Sequence, residues 1–232
     1  YTNVDKAASE PELARQVNAI GPGVMAEEMK KLGGALIHYS TDYVFDGTAE
    51  RPYVETEAPN PINQYGISKL EGEQRVLAAG GNALVFRTSW VYSLRQGGFV
   101  NKVLHWSREQ EVMRIVDDQT GSPTWARMLA QASTQVITRG GDDALDYLEQ
   151  NSGLYHLAGA GAASRYEWAR AVIELDPRKQ EQKVRQLLTA KSDEFPNPAN
   201  RPVYSALDCS LFERTFHTLI PDWKTSIALL LG

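Results

Sequence analysis

Two short apolar runs, each preceded by a helical segment, constrain the fold of this chain more than any other feature. They are residues 35–40, ALIHYS, and residues 83–88, ALVFRT. Short apolar runs that follow helices are typical of buried strands in a parallel sheet. Helical patterns cover residues 11–32 and begin again near residue 64. The order helix, strand, loop, helix, strand predicts an α/β fold with a doubly wound, Rossmann-like parallel sheet.

The alternation continues toward the carboxyl end in weaker form. The pattern predicts helices at 99–109, 125–139, 164–175, 211–216 and 223–231, and strands at 111–116 and 154–158. Residues 142–152 are expected to form a polar connector with one turn of helix, and the pattern weakens after Pro177. A kink or two abutting helices are expected at Gly21-Pro22-Gly23, because the residue before a proline resists the helical region.

Composition narrows the functional classes. The formal net charge of -5 argues against nucleic acid or an anionic membrane as the main partner. Cys209 is the single cysteine, which excludes an intrachain disulfide and leaves a zinc cluster unsupported. The apolar runs are too short for a membrane span, and no signal peptide is recognised, so a reducing, cytoplasmic setting is expected. No metal site is predicted, and the scattered histidines are interpreted as structural: His38, His105, His156 and His217.

Tyr65 and Lys69 lie four residues apart, which stacks them on one face of a helix. A free phenol has a pKa of about 10. A neighbouring ammonium favours the phenolate and lowers that pKa, so the pair can exchange a proton with a hydroxyl. An exposed Tyr beside a solvated Lys on a surface helix has the same spacing. The spacing alone leaves both interpretations open.

The location of three residues favours the functional interpretation. Thr41 and Trp90 follow the two predicted strands, and Tyr65 lies at the start of a helix. In doubly wound sheets, ligands bind beyond the carboxyl ends of the strands. The three side chains are therefore expected on the ligand-binding side of the sheet.

Several longer motifs occur in one order along the chain. They are residues 40–47 (STDYVFDG), 65–73 (YGISKLEGE), 87–92 (RTSWVY), 118–124 (DQTGSPT) and 201–205 (RPVYS). Together these motifs resemble the dTDP-4-dehydrorhamnose reductase family of extended short-chain dehydrogenases, from Tyr1 nearly to the end of the chain. The resemblance implies a Rossmann domain joined to a smaller α/β lobe that binds a sugar nucleotide.

The resemblance also implies a division into two domains and an incomplete N-terminal part of the first domain. Residues 1–110 would be the remainder of the dinucleotide-binding domain, and 111–232 mainly the sugar-nucleotide lobe, with some segments returning to the first domain. The family opens with a strand, a Gly-rich turn and a helix that carry the cofactor pyrophosphate, and Tyr1 matches a later strand exit. Residues 1–232 alone are therefore expected to bind NADPH negligibly and to associate.

Catalytic and cofactor roles are carried over from the family motifs. Tyr65 would donate a proton to the C4 oxygen of the sugar, and Thr41 would hydrogen-bond that oxygen. Lys69 would hold the ribose hydroxyls of the cofactor and lower the pKa of Tyr65. Tyr1 and Thr2 would line the ribose and nicotinamide side of the same cofactor site.

The resemblance places further residues near the ligands, each beside a structural alternative. Tyr39 would face the cofactor or simply pack in the sheet. Asp42 would touch the substrate or satisfy a turn, and Trp90 would form a wall against the sugar or belong to the core. Arg201 and residues 119–124 would reach the nucleotide, since an arginine can hold a diphosphate with two hydrogen bonds. A surface ion pair is the alternative for Arg201.

The function implied is reduction of the C4 keto group of dTDP-4-dehydro-6-deoxy-L-mannose to dTDP-L-rhamnose, for cell-surface polysaccharide such as lipopolysaccharide. NADPH is the expected cofactor, and some members accept NADH. The partner is a dTDP-sugar, without nucleic acid or membrane; a homodimer is left open. One alternative is a related epimerase or dehydratase, although dehydratases carry a Glu where this chain has Tyr43. The other is a non-catalytic regulatory subunit with the same fold.

Overall fold

The computed structural model describes residues 1–95 and 97–232, which form helices and mostly parallel strands. The helices are α1 (Val4–Ser9), α2 (Pro11–Arg15), α3 (Gly21–Lys31), α4 (Gln64–Ala79), α5 (Phe99–Glu109), α6 (Ala126–Thr138), α7 (Ala144–Gln150), α8 (Arg165–Leu175), α9 (Ser210–Phe216) and α10 (Trp223–Leu231). The strands are β1 (Ala35–Thr41), β2 (Asn82–Thr88), β3 (Val91–Tyr92), β4 (Val112–Val116), β5 (Thr120–Gly121), β6 (Thr124–Trp125), β7 (Gly153–His156), β8 (Ala163–Ser164) and β9 (Gln186–Ala190).

The main sheet is parallel and has the order β1-β2-β7. Side chains alternate across the central strand, as the two-residue period of a strand requires. Leu84 and Phe86 face a core built with α6 and α9, whereas Ala83 and Val85 face α3 and α4. Helices therefore cover both faces, which confirms the predicted doubly wound α/β class.

A second core lies beside this sheet. It surrounds the parallel pair of β4 and β9 and includes apolar residues of α5, α8 and α10, with Trp168 at its centre. β7, from the later half of the chain, returns to the main sheet. The hydrophobic contacts of α5 fall in the second core, on the far side of the domain boundary expected at residue 110. The division into two domains stays a prediction.

Several local expectations differ from the structure. The interruption near Gly21-Pro22-Gly23 is a π-helical turn, Gln16–Ile20, that joins α2 to α3 without breaking the helical path. Pro22 lies in the first turn of α3, directly after the π-helical turn. The connector after residue 142 contains all of α7, and β9 lies where no element was expected. Within the described residues, every helix is too short or too polar to cross a bilayer.

Candidate active site

The start of α4 is fixed by its capping residue. Asn63 accepts a hydrogen bond from the backbone N–H of Gly66 (2.8 Å) and donates one to the carbonyl of Asn200 (2.8 Å). Gly66 allows the close approach, because a Cβ there would collide with the carbonyl oxygen of Tyr43. Tyr65 is thereby held in the first turn of the helix, against the exit of β1.

Five predicted site residues line one cavity of about 330 Å³ beyond the carboxyl ends of β1 and β2. They are Thr2, Thr41, Asp42, Tyr65 and Trp90. The cavity combines a phenol, a hydroxyl, a carboxyl and an indole wall. The expected convergence of strand exits and helix start is present in the fold.

Lys69 lies one turn along α4 from Tyr65 and is buried. Its ammonium donates to the carbonyl oxygen of Tyr39 (2.6 Å) and lies 3.4 Å from Nε2 of His38. Burial lowers the pKa of Lys69 to about 8, against a smaller opposing effect of Glu73. Burial, with help from Lys69, lowers the pKa of His38 to about 3, so its ring is neutral and Nε2 can accept a hydrogen bond.

The expected lowering of the Tyr65 pKa is wrong for this structure. Burial of the phenol raises its pKa to about 12, the charges of Asp42 and Tyr43 add to the rise, and a hydrogen bond with Thr41 opposes it. The Lys69 ammonium is held at the Tyr39 carbonyl instead. Tyr65 is therefore protonated across the neutral range, which is the form a proton donor needs.

Asp42 joins three segments below the cavity. Oδ2 accepts hydrogen bonds from the hydroxyls of Ser89 (2.9 Å) and Ser205 (2.6 Å), and Oδ1 accepts one from Thr41 (3.1 Å). Burial raises the pKa of this carboxyl, and the three hydroxyls and Arg165 oppose the rise. These contacts match the structural alternative for Asp42, although the residue also lines the cavity.

Trp90 forms a half-buried wall of the cavity in an unusual backbone conformation. Its φ of 44° lies in the left-handed region, which is costly for a bulky residue. The indole stacks on Trp168, with ring centroids 5.5 Å apart at 20°. A Cβ on Gly121 would lie 2.5 Å from the indole, so only glycine fits behind the wall. The backbone strain is held where a ligand can reach the ring.

The remaining cofactor candidates differ in position. Thr2 lines the cavity, whereas Tyr1 is held by Asn18, which accepts from its nitrogen (3.0 Å) and donates to its carbonyl (3.0 Å). The ring of Tyr39 packs on Phe86, and its hydroxyl lies 2.5 Å from Oγ of Ser133. These contacts are those of packing, and the cofactor role of Tyr39 stays a prediction.

A second cavity, of about 280 Å³, adjoins the first. Gln119 and Arg201 line it, so one residue of the 119–124 loop and the predicted arginine lie together. Arg201 also forms an ion pair with Asp5 at 2.8 Å. Phe99 and Arg165 line both cavities and connect them. The two cavities together form one divided cleft.

Sequence reasoning missed three residues near the site. His38 contacts Lys69, Asn18 links Tyr1 to Ser68 of α4, and Arg165 joins the two cavities. Each makes its contacts with residues far away in the sequence, so no local spacing could have indicated them. Among residues 1–95 and 97–232, no cluster of three His, Cys, Asp or Glu side chains is placed to bind a metal.

Comparison with known proteins identifies the family. The family described as the RmlD substrate binding domain matches residues 1–232. The dTDP-4-dehydrorhamnose reductase of Burkholderia thailandensis is 39% identical over 233 residues, which are 99% of this chain and 78% of the relative. The chain belongs to the dTDP-4-dehydrorhamnose reductase family.

Solved structures of dTDP-4-dehydrorhamnose reductases share the fold. The Clostridium acetobutylicum structure superposes with a TM-score of 0.88 at 33% identity, covering 99% of this chain and 76% of that one. The Bacillus anthracis structure, in complex with NADP, gives a TM-score of 0.87 at 32% identity and the same coverage. The resemblance drawn from the motifs is confirmed, and with it the Rossmann-like class.

Proposed function

We propose that this chain reduces the C4 keto group of dTDP-4-dehydro-6-deoxy-L-mannose with NADPH and forms dTDP-L-rhamnose. The observation that carries the proposal is the meeting of Tyr65, Thr41 and Trp90 in one cavity beyond the sheet. Family membership supports the reaction class, since the relatives carry the name of that reductase. The reaction belongs to the synthesis of dTDP-rhamnose for cell-surface polysaccharide, in the cytoplasm.

The residues beside Tyr65 fit a nicotinamide cofactor. Lys69 uses the Tyr39 carbonyl and His38 as partners for two of its three N–H groups, which leaves one donor for a ribose hydroxyl. Thr2 and Tyr1 lie on the same side of the site, and Tyr39 supports Lys69 through its carbonyl. When bound, NADPH supplies the hydride for the reduction. The NADP complex of the Bacillus anthracis relative supports this cofactor.

Each residue of the chain then has one task at the C4 carbonyl. Tyr65, protonated because its pKa is raised to about 12, donates its proton to the C4 oxygen as that oxygen gains charge. The Thr41 hydroxyl donates its one proton to Asp42 in the free site (3.1 Å), and it would exchange that bond for one to the C4 oxygen when the sugar binds. Trp90 closes one side of the cavity and orients the sugar ring.

The two alternative functions, a dehydratase or epimerase and a regulatory subunit, account for fewer of the residues in the cavity. Elimination needs a carboxylate beside the sugar, and position 43 holds a tyrosine whose pKa is raised by burial. The neighbouring Asp42 is tied to three hydroxyls. A regulatory subunit would not require a cavity that brings Tyr65 together with Thr41 and Trp90. The division into a cofactor domain and a sugar-nucleotide lobe is part of the same proposal.

Replacement of Tyr65 by Phe in the full protein tests the function. Turnover should fall by about 10²- to 10⁴-fold, because the proton donor is lost, whereas NADPH affinity should be retained. The matched control is Tyr166→Phe, whose hydroxyl bonds the Leu187 carbonyl (3.3 Å) away from the cavity. Single-turnover kinetics and NADPH fluorescence titration measure the two properties. A Tyr65→Phe enzyme with kcat near that of the control would contradict the assignment.

A further inference from the structure

Arg165 occupies the junction between the two cavities. Its guanidinium carbon lies 3.6 Å from the ring centroid of Trp90, and 5.3 Å from that of Phe99. The residue opens α8 directly after Ser164, whose capping box fixes the first turn of that helix. A short helix start, rather than a mobile loop, therefore carries the side chain. The cation is held against the sugar wall and faces both parts of the cleft.

Within the described ranges 1–95 and 97–232, Arg165 has no carboxylate oxygen in direct ion-pair contact, and the groups that favour its charge are the Asp42 carboxyl and the Tyr43 phenol. The other arginines of the second cavity are paired, Arg201 with Asp5 at 2.8 Å and Arg114 with Glu194 at 2.5 Å. Arg165 forms no such ion pair, and the nearby Asp42 carboxylate is occupied by three hydroxyls.

The surroundings make this unpaired charge costly. Burial lowers the pKa of Arg165, although Tyr43 and Asp42 oppose the shift. The guanidinium of Arg201 is close enough to lower that pKa as well. Arg165 is half-buried, and a largely desolvated guanidinium without a directly paired anion is unfavourable, because its desolvation is not repaid. An anion in the cleft would remove that cost.

We propose that Arg165 binds the diphosphate of the sugar nucleotide at the junction of the two cavities. The inference rests on the proposed function for the identity of the substrate. A guanidinium offers a planar fork of N–H donors that matches phosphate oxygens in pairs. The sugar then lies in the cavity of Tyr65 and Trp90, and the nucleoside in the cavity of Gln119 and Arg201. Because the same side chain stacks on Trp90, the diphosphate also sets the position of the sugar wall.

Equilibrium binding of dTDP to the full protein tests this role. Arg165→Gln should weaken dTDP binding by about 10- to 100-fold, the loss expected when a charged hydrogen-bonding group is removed. Arg170→Gln is the matched control, since it removes an arginine paired with Glu174 from the same helix but outside both cavities, and it should change the affinity less than about threefold. Isothermal titration calorimetry gives the dissociation constants, and circular dichroism with thermal unfolding shows that each variant is folded.

Arg165→Lys separates the effect of the paired guanidinium donors from that of the positive charge. It also tests the inference if the Gln variant does not fold. It keeps the stem and the positive charge but loses the paired donors, so dTDP affinity should fall about three- to tenfold. An Arg165→Gln or Arg165→Lys protein that binds dTDP as tightly as wild type would overturn the inference. A wild-type protein that binds dTDP through Arg165 but does not reduce the keto sugar would contradict the proposed function alone.

Discussion

At the scale of single residues, burial sets the protonation of the catalytic pair in two opposite directions. It raises the pKa of the Tyr65 phenol to about 12 and lowers that of the Lys69 ammonium to about 8. Both shifts favour the uncharged form, as transfer to a medium of low dielectric does. Within the accessible pH range, only Lys69 then changes its charge. The pH dependence of the enzyme should report the lysine rather than the tyrosine.

The first prediction concerns the decrease of activity at alkaline pH. Lys69 is charged below its pKa of about 8, so kcat/KM should fall as pH rises through that value and ribose binding weakens. The groups that face it are the His38 ring, the Tyr39 carbonyl and the carboxylate of Glu73. His38 has a pKa of about 3 and stays neutral throughout.

A variant that cannot lose its charge checks the assignment. Lys69→Arg stays protonated, so its falling limb should move to higher pH even if its activity is lower. Lys69→Met should show low activity with no limb near pH 8. Steady-state kinetics between pH 6 and 10 would decide it, over about the range in which the two cations differ. An unchanged limb in Lys69→Arg would assign the titration to another group.

The sequence allowed prediction of those site residues whose motifs are local. Tyr65 and Lys69 are linked by helix spacing, and Thr41 and Trp90 by their places after strands. His38 and Arg165 could not be predicted in the same way. Their roles come from contacts made across the fold, 31 residues apart for His38 and Lys69. The direction of the Tyr65 pKa shift cannot be predicted from the sequence for a related reason, because burial is a property of the packed structure.

At the scale of elements, a buried ion pair connects α4 to the main sheet. Glu73 of α4 and Arg87 of β2 make two parallel hydrogen bonds, at 2.9 and 2.7 Å, and both side chains are almost fully buried. The next turn of α4 toward the site carries Lys69. The pair therefore anchors α4, which presents the catalytic residues, to β2, the strand that precedes Trp90.

A second prediction follows for stability. Glu73→Ala should lower the free energy of unfolding by about 3–5 kcal/mol, because the buried guanidinium of Arg87 is left without its anion. The matched control is Glu28→Ala, which removes the exposed ion pair with Lys31 at 2.7 Å and should cost at most about 1 kcal/mol. Urea unfolding followed by circular dichroism measures both. Equal losses in the two variants would show that burial does not decide the value of the pair.

Helices and strands can be predicted where a local sequence pattern indicates them. They cannot be predicted where they form only by pairing or packing with a distant segment. The helix expected at 99–109 is α5, and the capping box at Ser164 opens α8 as predicted. β9 has a mostly exposed or half-buried sequence and forms because it pairs with β4 along five residues. α7 is short and mostly exposed or half-buried, with Leu148 as its single buried residue. Neither signal exists before the chain folds.

At the scale of the whole molecule, each of the two hydrophobic cores supports a different part of the site. The first core supports β1, β2 and α4, which carry Thr41 and Tyr65, and the second contains Trp168, on which Trp90 stacks. Asp42, at the exit of β1, joins the exit of β2 and the segment around residue 205 through Ser89 and Ser205. Arg165 belongs to the second half and faces the first. A ligand in the cleft therefore touches both halves at once.

The last prediction concerns the outer edge of the main sheet. Within the described residues, β1 pairs with β2 on one side and with no strand on the other. An unpaired edge presents free N–H and C=O groups and favours association with another chain. A polypeptide of residues 1–232 alone should therefore form larger species as its concentration rises, which sedimentation velocity can follow.

The same polypeptide should separate the two ligands. NADPH should bind it only weakly, because pyrophosphate is normally held by a Gly-rich turn at a helix N-terminus and the β1 edge offers no such neighbour among the described residues. dTDP should still bind, since Gln119, Arg165 and Arg201 are all present, and this serves as the internal control for folding. Calorimetry with each ligand gives the comparison. A monomeric polypeptide that binds NADPH with micromolar affinity would place the cofactor site wholly within these residues and refute the prediction.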